Sequence, residues 1–126
     1  MKELTKAEEE IMQVLWRIQS GFVKDIINQL SAPKPAYNTV STIVRILVQK
    51  GFVSNESVGK SHRYTPTVTK SAYCKQFMQG FVGRFFSGSY QQMISFFARH
   101  EDMSLTELEE VLSALKKDKA DQAFEK

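Results

Sequence analysis

The chain contains one cysteine, Cys74. That excludes an internal disulfide, a redox pair and a cysteine-built metal site, and leaves the thiol as a structural residue. No apolar run approaches the roughly 18 residues of a membrane-spanning helix. Met1-Lys2-Glu3-Leu4-Thr5 also lacks the apolar core of a signal peptide, so a cytoplasmic protein without membrane contact is expected. Histidine is scarce too. His62 and His100 are the only two, and neither has a repeated carboxylate partner from which a catalytic acid and base could be assembled. An enzyme, a cofactor and a metal are therefore not expected. With 42% apolar and 25% charged residues, the composition is that of an ordinary globular protein. At 126 residues there is room for one compact domain, or a small domain with a helical extension.

A further absence is local. No acidic residue falls between Ala36 and Val53. Residues 1–70 hold ten Lys or Arg against six Asp or Glu, or +4, and residues 71–126 hold seven against eight, or −1. The excess is concentrated at Lys34, Arg45, Lys50, Lys60, Arg63 and Lys70, against Glu56 alone. Such a stretch attracts a polyanion, although a solvated basic face has the same composition.

Thr5-Lys6-Ala7-Glu8 has the form of a capping box and predicts a helix start. Ala7, Ile11, Val14, Leu15 and Ile18 then repeat on one face until Ser20-Gly21. Val23, Ile26, Ile27 and Leu30 form a second, shorter stripe, ended by Ser31-Ala32-Pro33-Lys34-Pro35. A third helix, Asn38 to Gln49, has two opposed faces. Val40, Ile43, Val44 and Leu47 lie on one, and Asn38, Ser41, Thr42, Arg45 and Gln49 on the other, all able to hydrogen-bond to a base edge or phosphate. Gly51 marks the helix end. Phe52–Ser57 and Ser61–Pro66 then flank Val58-Gly59-Lys60 as a β-hairpin presenting Lys60, His62 and Arg63. Three short helices and a basic hairpin are the parts of a winged helix, whose third helix enters the major groove while the wing reaches the flanking backbone. Trp16 falls opposite the first stripe, either packed against the C-terminal segment or exposed as a contact.

Beyond Pro66, Tyr73, Phe77, Phe81 and Phe85 form an i+4 row beside Met78, Val82 and Phe86. Tyr90, Met93, Ile94, Phe96 and Phe97 follow. Ser104-Leu105-Thr106-Glu107 then offers a second capping box, and Leu105, Leu108, Leu112 and Leu115 make a coiled-coil-like seam. Six of the nine phenylalanines lie between 77 and 97. Three short helices cannot cover that much apolar surface, so a partner surface is expected at Tyr73, Phe77, Phe81, Phe85, Phe96, Phe97, Leu108 and Leu112, with intrachain packing as the alternative. The expected organisation is mostly α with a small β-hairpin wing. A winged helix-turn-helix spans 1–70, a helical dimerisation domain 71–118 and a flexible tail 119–126.

Leu4-Thr5-Lys6-Ala7-Glu8, Val14-Leu15-Trp16, Tyr37-Asn38-Thr39-Val40-Ser41-Thr42, Leu47-Val48-Gln49-Lys50-Gly51-Phe52-Val53 and Tyr64-Thr65-Pro66 resemble the penicillinase-repressor family of homodimeric winged-helix repressors. The resemblance is dense over 4–68 and weaker over 69–118. It implies a homodimer that represses transcription by binding a double-stranded dyad operator. Thr39 and Thr42 match hydroxyl positions of the family's recognition helix, and Lys60 to Arg63 match its wing. Ser41 stands where many members carry Lys or Arg, a departure that bears on which bases are read. Members relieved by proteolysis are cut before a phenylalanine preceded by asparagine. The nearest match here is Ser95-Phe96, which departs from that pattern and leaves open whether an upstream sensor or protease is a partner. Copper-responsive relatives carry C-terminal cysteine pairs, which this chain lacks. The expected DNA-binding set is Asn38, Thr39, Ser41, Thr42, Arg45, Lys60, His62 and Arg63. The alternative function is a winged-helix adaptor for protein assembly, which has no need of an acid-free third helix.

Overall fold

The structure is a computed structural model and describes residues 3–100 and 103–125, with side chains through Lys119. The element order is α1 (Lys6–Ile18), α2 (Val23–Gln29), α3 (Tyr37–Gln49), β1 (Val53–Val58), β2 (Ser61–Pro66), α4 (Lys70–Phe85), α5 (Tyr90–Arg99) and α6 (Leu105–Glu125). Contacts divide the chain into two compact units, Met1–Met78 and Gln79–Lys126. The first is a winged helix. No described helix is long and apolar enough to cross a membrane.

Helix α1 begins with both halves of the expected box: Glu8 N–H donates to Thr5 Oγ1 at 3.2 Å and Thr5 N–H to Glu8 Oε1 at 2.8 Å. Its buried face, Ile11, Met12, Val14 and Leu15, meets Val23 and Ile26 of α2 and Val40, Val44 and Leu47 of α3 in one core. At the end of α3, Gly51 has φ +86°. Gly51 N–H bonds to Val48 O and Phe52 N–H to Leu47 O. These paired bonds form a Schellman motif, which uses a residue in the left-handed region and turns the chain sharply into the hairpin. Phe52, the first residue after the turn, is fully buried.

The hairpin runs in the register Val53↔Pro66 to Val58↔Ser61, which leaves Gly59 and Lys60 as a two-residue turn. Gly59 has φ +62°, the positive first position typical of a II′ turn. One more residue joins this sheet. Gly21 exchanges both backbone hydrogen bonds with Tyr64, at 3.0 and 2.8 Å. A Cβ on Gly21 would lie 2.9 Å from Ile18 Cδ1 and 3.2 Å from Asp25 Cβ, so a side chain at this crossing between α1 and α2 must displace the tip of Ile18 and press on Asp25.

Tyr73 departs from its expected place on a partner surface. It is only 7% exposed and belongs to the winged-helix core. Its ring centroid lies 5.9 Å from that of Trp16, 5.8 Å from Phe52 and 6.2 Å from Phe77, and its hydroxyl accepts from Leu4 N–H at 3.2 Å. The cause is the gap between the hairpin base and α1, which the first turn of α4 closes. Trp16 packs as one of the two expected alternatives: its Nε1–H donates to Val68 O at 2.8 Å.

In the second unit Val82 is buried while α5 has no buried residue. Phe81, Phe85, Phe86, Phe96 and Phe97 form a chain of ring contacts with centroid separations of 5.0–5.9 Å. Ser89 and Ser104 cap α5 and α6 by accepting from Gln92 N–H and Glu107 N–H. Helix α6 does not end before an irregular tail at 119. It continues to Glu125, because Lys116 to Glu125 contains no glycine or proline and consists mainly of good helix formers. Lys126 lies outside the described residues.

Candidate nucleic-acid interface

Helix α3 is positioned by its apolar face. Val40, Val44 and Leu47 are locked in the core, which turns Asn38, Thr39, Thr42, Arg45 and Gln49 to solvent and leaves Ser41 partly exposed. Within that face, Thr42 Oγ1–H donates to Asn38 O at 2.8 Å and Arg45 Nη2 donates to Ser41 Oγ at 3.2 Å. A hydroxyl has a single donor, so Thr42 meets a ligand as an acceptor. The helix starts at Ala36 with no side-chain cap, so its first-turn N–H groups and positive dipole end face outward, an arrangement suited to a phosphate.

A cleft of about 690 Å³ lies between α2, the start of α3 and the hairpin. It brings together Ser41, Arg45, Lys60 and His62 of the expected set, and adds Lys24, Tyr37 and Asn55. Asn38, Thr39, Thr42 and Arg63 do not line it. The first three lie along the outer face of α3, and the Arg63 guanidinium sits 5.5 Å from the Phe22 ring centroid. Asp25 also borders the cleft, but its carboxylate is engaged by Phe22 N–H at 2.9 Å. Lys24 and Lys60 have no partner among the described residues. Lys24 was missed because it precedes the basic stretch in sequence. Tyr37 and Asn55 carry no charge to signal them.

The six cations of that stretch do not act alike. Lys34 Nζ donates to Ile27 O at 3.1 Å and to Asn28 O and Leu30 O at 3.0 Å. Lys50 Nζ pairs with Glu8 Oε1 at 2.7 Å. Burial raises the Glu8 carboxyl pKa, but the Lys50 hydrogen bond, the Thr5 N–H and the Lys50 charge together hold it below the ordinary carboxylate value. Lys70 borders a separate depression beside Trp16. Arg45, Lys60 and Arg63 remain from the stretch, and Lys24 joins them.

The penicillinase-repressor family model matches residues 4–117. The chain belongs to that family. It is 27% identical to the penicillinase repressor of Bacillus licheniformis over 118 residues, covering 93% of this chain and 92% of that one. It is 26% identical to the methicillin resistance regulatory protein MecI of Staphylococcus aureus (strain N315) over 116 residues, covering 91% and 94%. The solved structure of hsRosR-S1 shares the fold, with a TM-score of 0.55 at 16% identity over 94% of this chain and 95% of that chain. This is a family of transcriptional repressors. The Ser95-Phe96 bond lies inside α5.

Proposed function

We propose that the protein is a sequence-specific DNA-binding repressor that acts as a homodimer on a dyad operator. The observation that carries this reading is the convergence of Lys24, Arg45 and Lys60 on one cleft beside an exposed, acid-free face of α3. Asn38, Thr39, Ser41 and Thr42 supply amide and hydroxyl groups for base edges in the major groove, while Lys24, Lys60, His62 and Arg63 hold the backbone on either side. Arg45 reaches either. The names of the relatives, a penicillinase repressor and a regulatory protein of methicillin resistance, support repression.

Dimerisation is supported by the second unit, which as a single chain leaves large apolar side chains in water. Phe85 is 67% exposed, Leu105 76% and Leu112 53%, and Ile94, Phe96 and Leu115 are also exposed. A second copy meeting Phe81, Phe85, Phe96, Phe97, Leu108 and Leu112 removes that surface from water, at about 25 cal/mol per Å² of apolar area. It also places two winged helices on one duplex with a high effective concentration for the second half-site.

A salt titration on duplex DNA tests the proposal. Lys24, Arg45, Lys60 and Arg63 from two protomers could neutralise about eight phosphates, so log affinity should fall against log salt with a slope near −7. A slope near −11 would mean that Lys34 and Lys50 also reach phosphates. A flat response refutes DNA binding and leaves the protein-assembly reading.

A further inference from the structure

Lys34 lies in the basic stretch and in the turn before α3, where a phosphate contact is the natural expectation. We infer that it is instead a positioning residue, an ammonium cap on the C-terminus of α2 that sets the helix-turn-helix angle and touches no DNA.

The reason begins with the sequence of the turn. A helix ends with carbonyls that have no intrahelical partner, usually met by N–H groups of the next few residues around a glycine. Here Leu30 ends α2 in an extended conformation, with φ −84° and ψ 152°, and the segment Ser31-Ala32-Pro33-Lys34-Pro35 has no glycine and two residues without an N–H. Leu30 N–H reaches Ile27 O. Lys34 meets three of these carbonyls, with its Nζ 3.1, 3.0 and 3.0 Å from those of Ile27, Asn28 and Leu30. An ammonium has three donors, and all three are used. The positive charge also opposes the negative end of the α2 dipole. A saturated ammonium has no donor left for a phosphate oxygen. The prolines on both sides restrict the backbone around Lys34, which lowers the entropy lost in holding the cap. Pro35 leads directly to Ala36, where α3 starts without a side-chain cap. The Lys34 cap is therefore the polar tie nearest the entry to the reading helix.

The affinity arm of the test rests on the DNA-binding reading above. Its probes are a duplex selected from a random pool by the full-length wild-type protein and a scrambled duplex of the same length. Lys34→Met is expected to weaken binding to the selected duplex roughly tenfold, the scale of a lost charged hydrogen-bond set. Binding to the scrambled duplex and the salt slope should remain at wild-type values. Lys34→Gln, with two donors and no charge, should fall between and serves if the methionine variant does not fold. Amide hydrogen exchange on the free protein gives a second arm. The variants should exchange faster across residues 31–40, with α1 and the hairpin unaffected. A salt slope that weakens by about one per replaced lysine makes Lys34 a phosphate contact and overturns the inference. Wild-type affinity together with wild-type exchange overturns it as well. If the wild-type protein prefers no duplex, the functional reading fails and the exchange arm alone decides the role of Lys34.

Discussion

Replacing Lys50 by methionine tests whether the end of α3 is tied to the start of α1 by charge. Glu8 is only 4% exposed, and its Oε1 serves both Thr5 N–H at 2.8 Å and Lys50 Nζ at 2.7 Å. An exposed ion pair is worth at most about 1 kcal/mol, while stranding a fully buried charge costs about 3–5 kcal/mol. With the Lys50 side chain 21% exposed and that of Glu8 6% exposed, Lys50→Met should cost about 2 kcal/mol at pH 7. The pH dependence gives a sharper test. In the wild type the Glu8 pKa is depressed on folding, so the stability it adds is present above the unfolded carboxylate pKa and is lost as pH falls through the lower folded value. Without Lys50, the effect of burial is opposed only by the Thr5 contacts, and the penalty shrinks once Glu8 takes up a proton. Urea unfolding followed by the fluorescence of Trp16, the single tryptophan, should show a wild-type-to-variant gap at pH 7 that narrows toward pH 3. Adding Glu8→Gln should remove most of the cost. An equal gap at both pH values, or additive losses in the double variant, refutes the argument.

Gly21→Ala should destabilise the winged helix by about 1–3 kcal/mol, as expected when a methyl is forced into a packed contact, and thermal unfolding would show it. Tyr73→Phe should cost about 1 kcal/mol through the lost acceptor for Leu4 N–H and leave the oligomeric state unchanged, because the residue lies in the core of its own chain. Leu112→Glu should shift sedimentation from dimer to monomer at micromolar concentration without changing the folding of residues 1–78. A variant that remains dimeric would remove α6 from the proposed interface.

Much of the winged helix was legible in the sequence, because its signals are local. The Thr5–Glu8 box, Gly51 and the Gly59 turn each act within a few residues, and the two faces of α3 follow from helical periodicity. The cations were not legible in the same way. Lys34, Lys50 and Arg45 look alike in the chain, yet one caps a helix, one pairs with a carboxylate 42 positions away and one remains on the exposed face of α3. Only the tertiary fold distinguishes them. Tyr73 misled for a related reason: it shares the i+4 row of Phe77, Phe81 and Phe85, and periodicity cannot tell that Tyr73 and Phe77 belong to one unit while Phe81 and Phe85 lie in the other. Gly21 joins the sheet as a single residue, too short for any alternation to show.

That single-residue attachment governs how the wing behaves. Gly21 holds β2 only at Tyr64, and the buried residues of the hairpin, Val53 and Tyr64, both lie toward its base. From Glu56↔Arg63 to the Gly59-Lys60 turn, the ribbon has no third strand and no buried side chain. An unsupported two-stranded ribbon is marginal in water, so the tip is expected to open more readily than the base. If the protein binds DNA as proposed, Lys60 at that tip would adapt to grooves of different width. This compliance limits what the tip can discriminate. Ordering it on a duplex would cost conformational entropy whatever the base sequence, so in the proposed complex the wing would add grip and the choice of sequence would fall to the exposed face of α3.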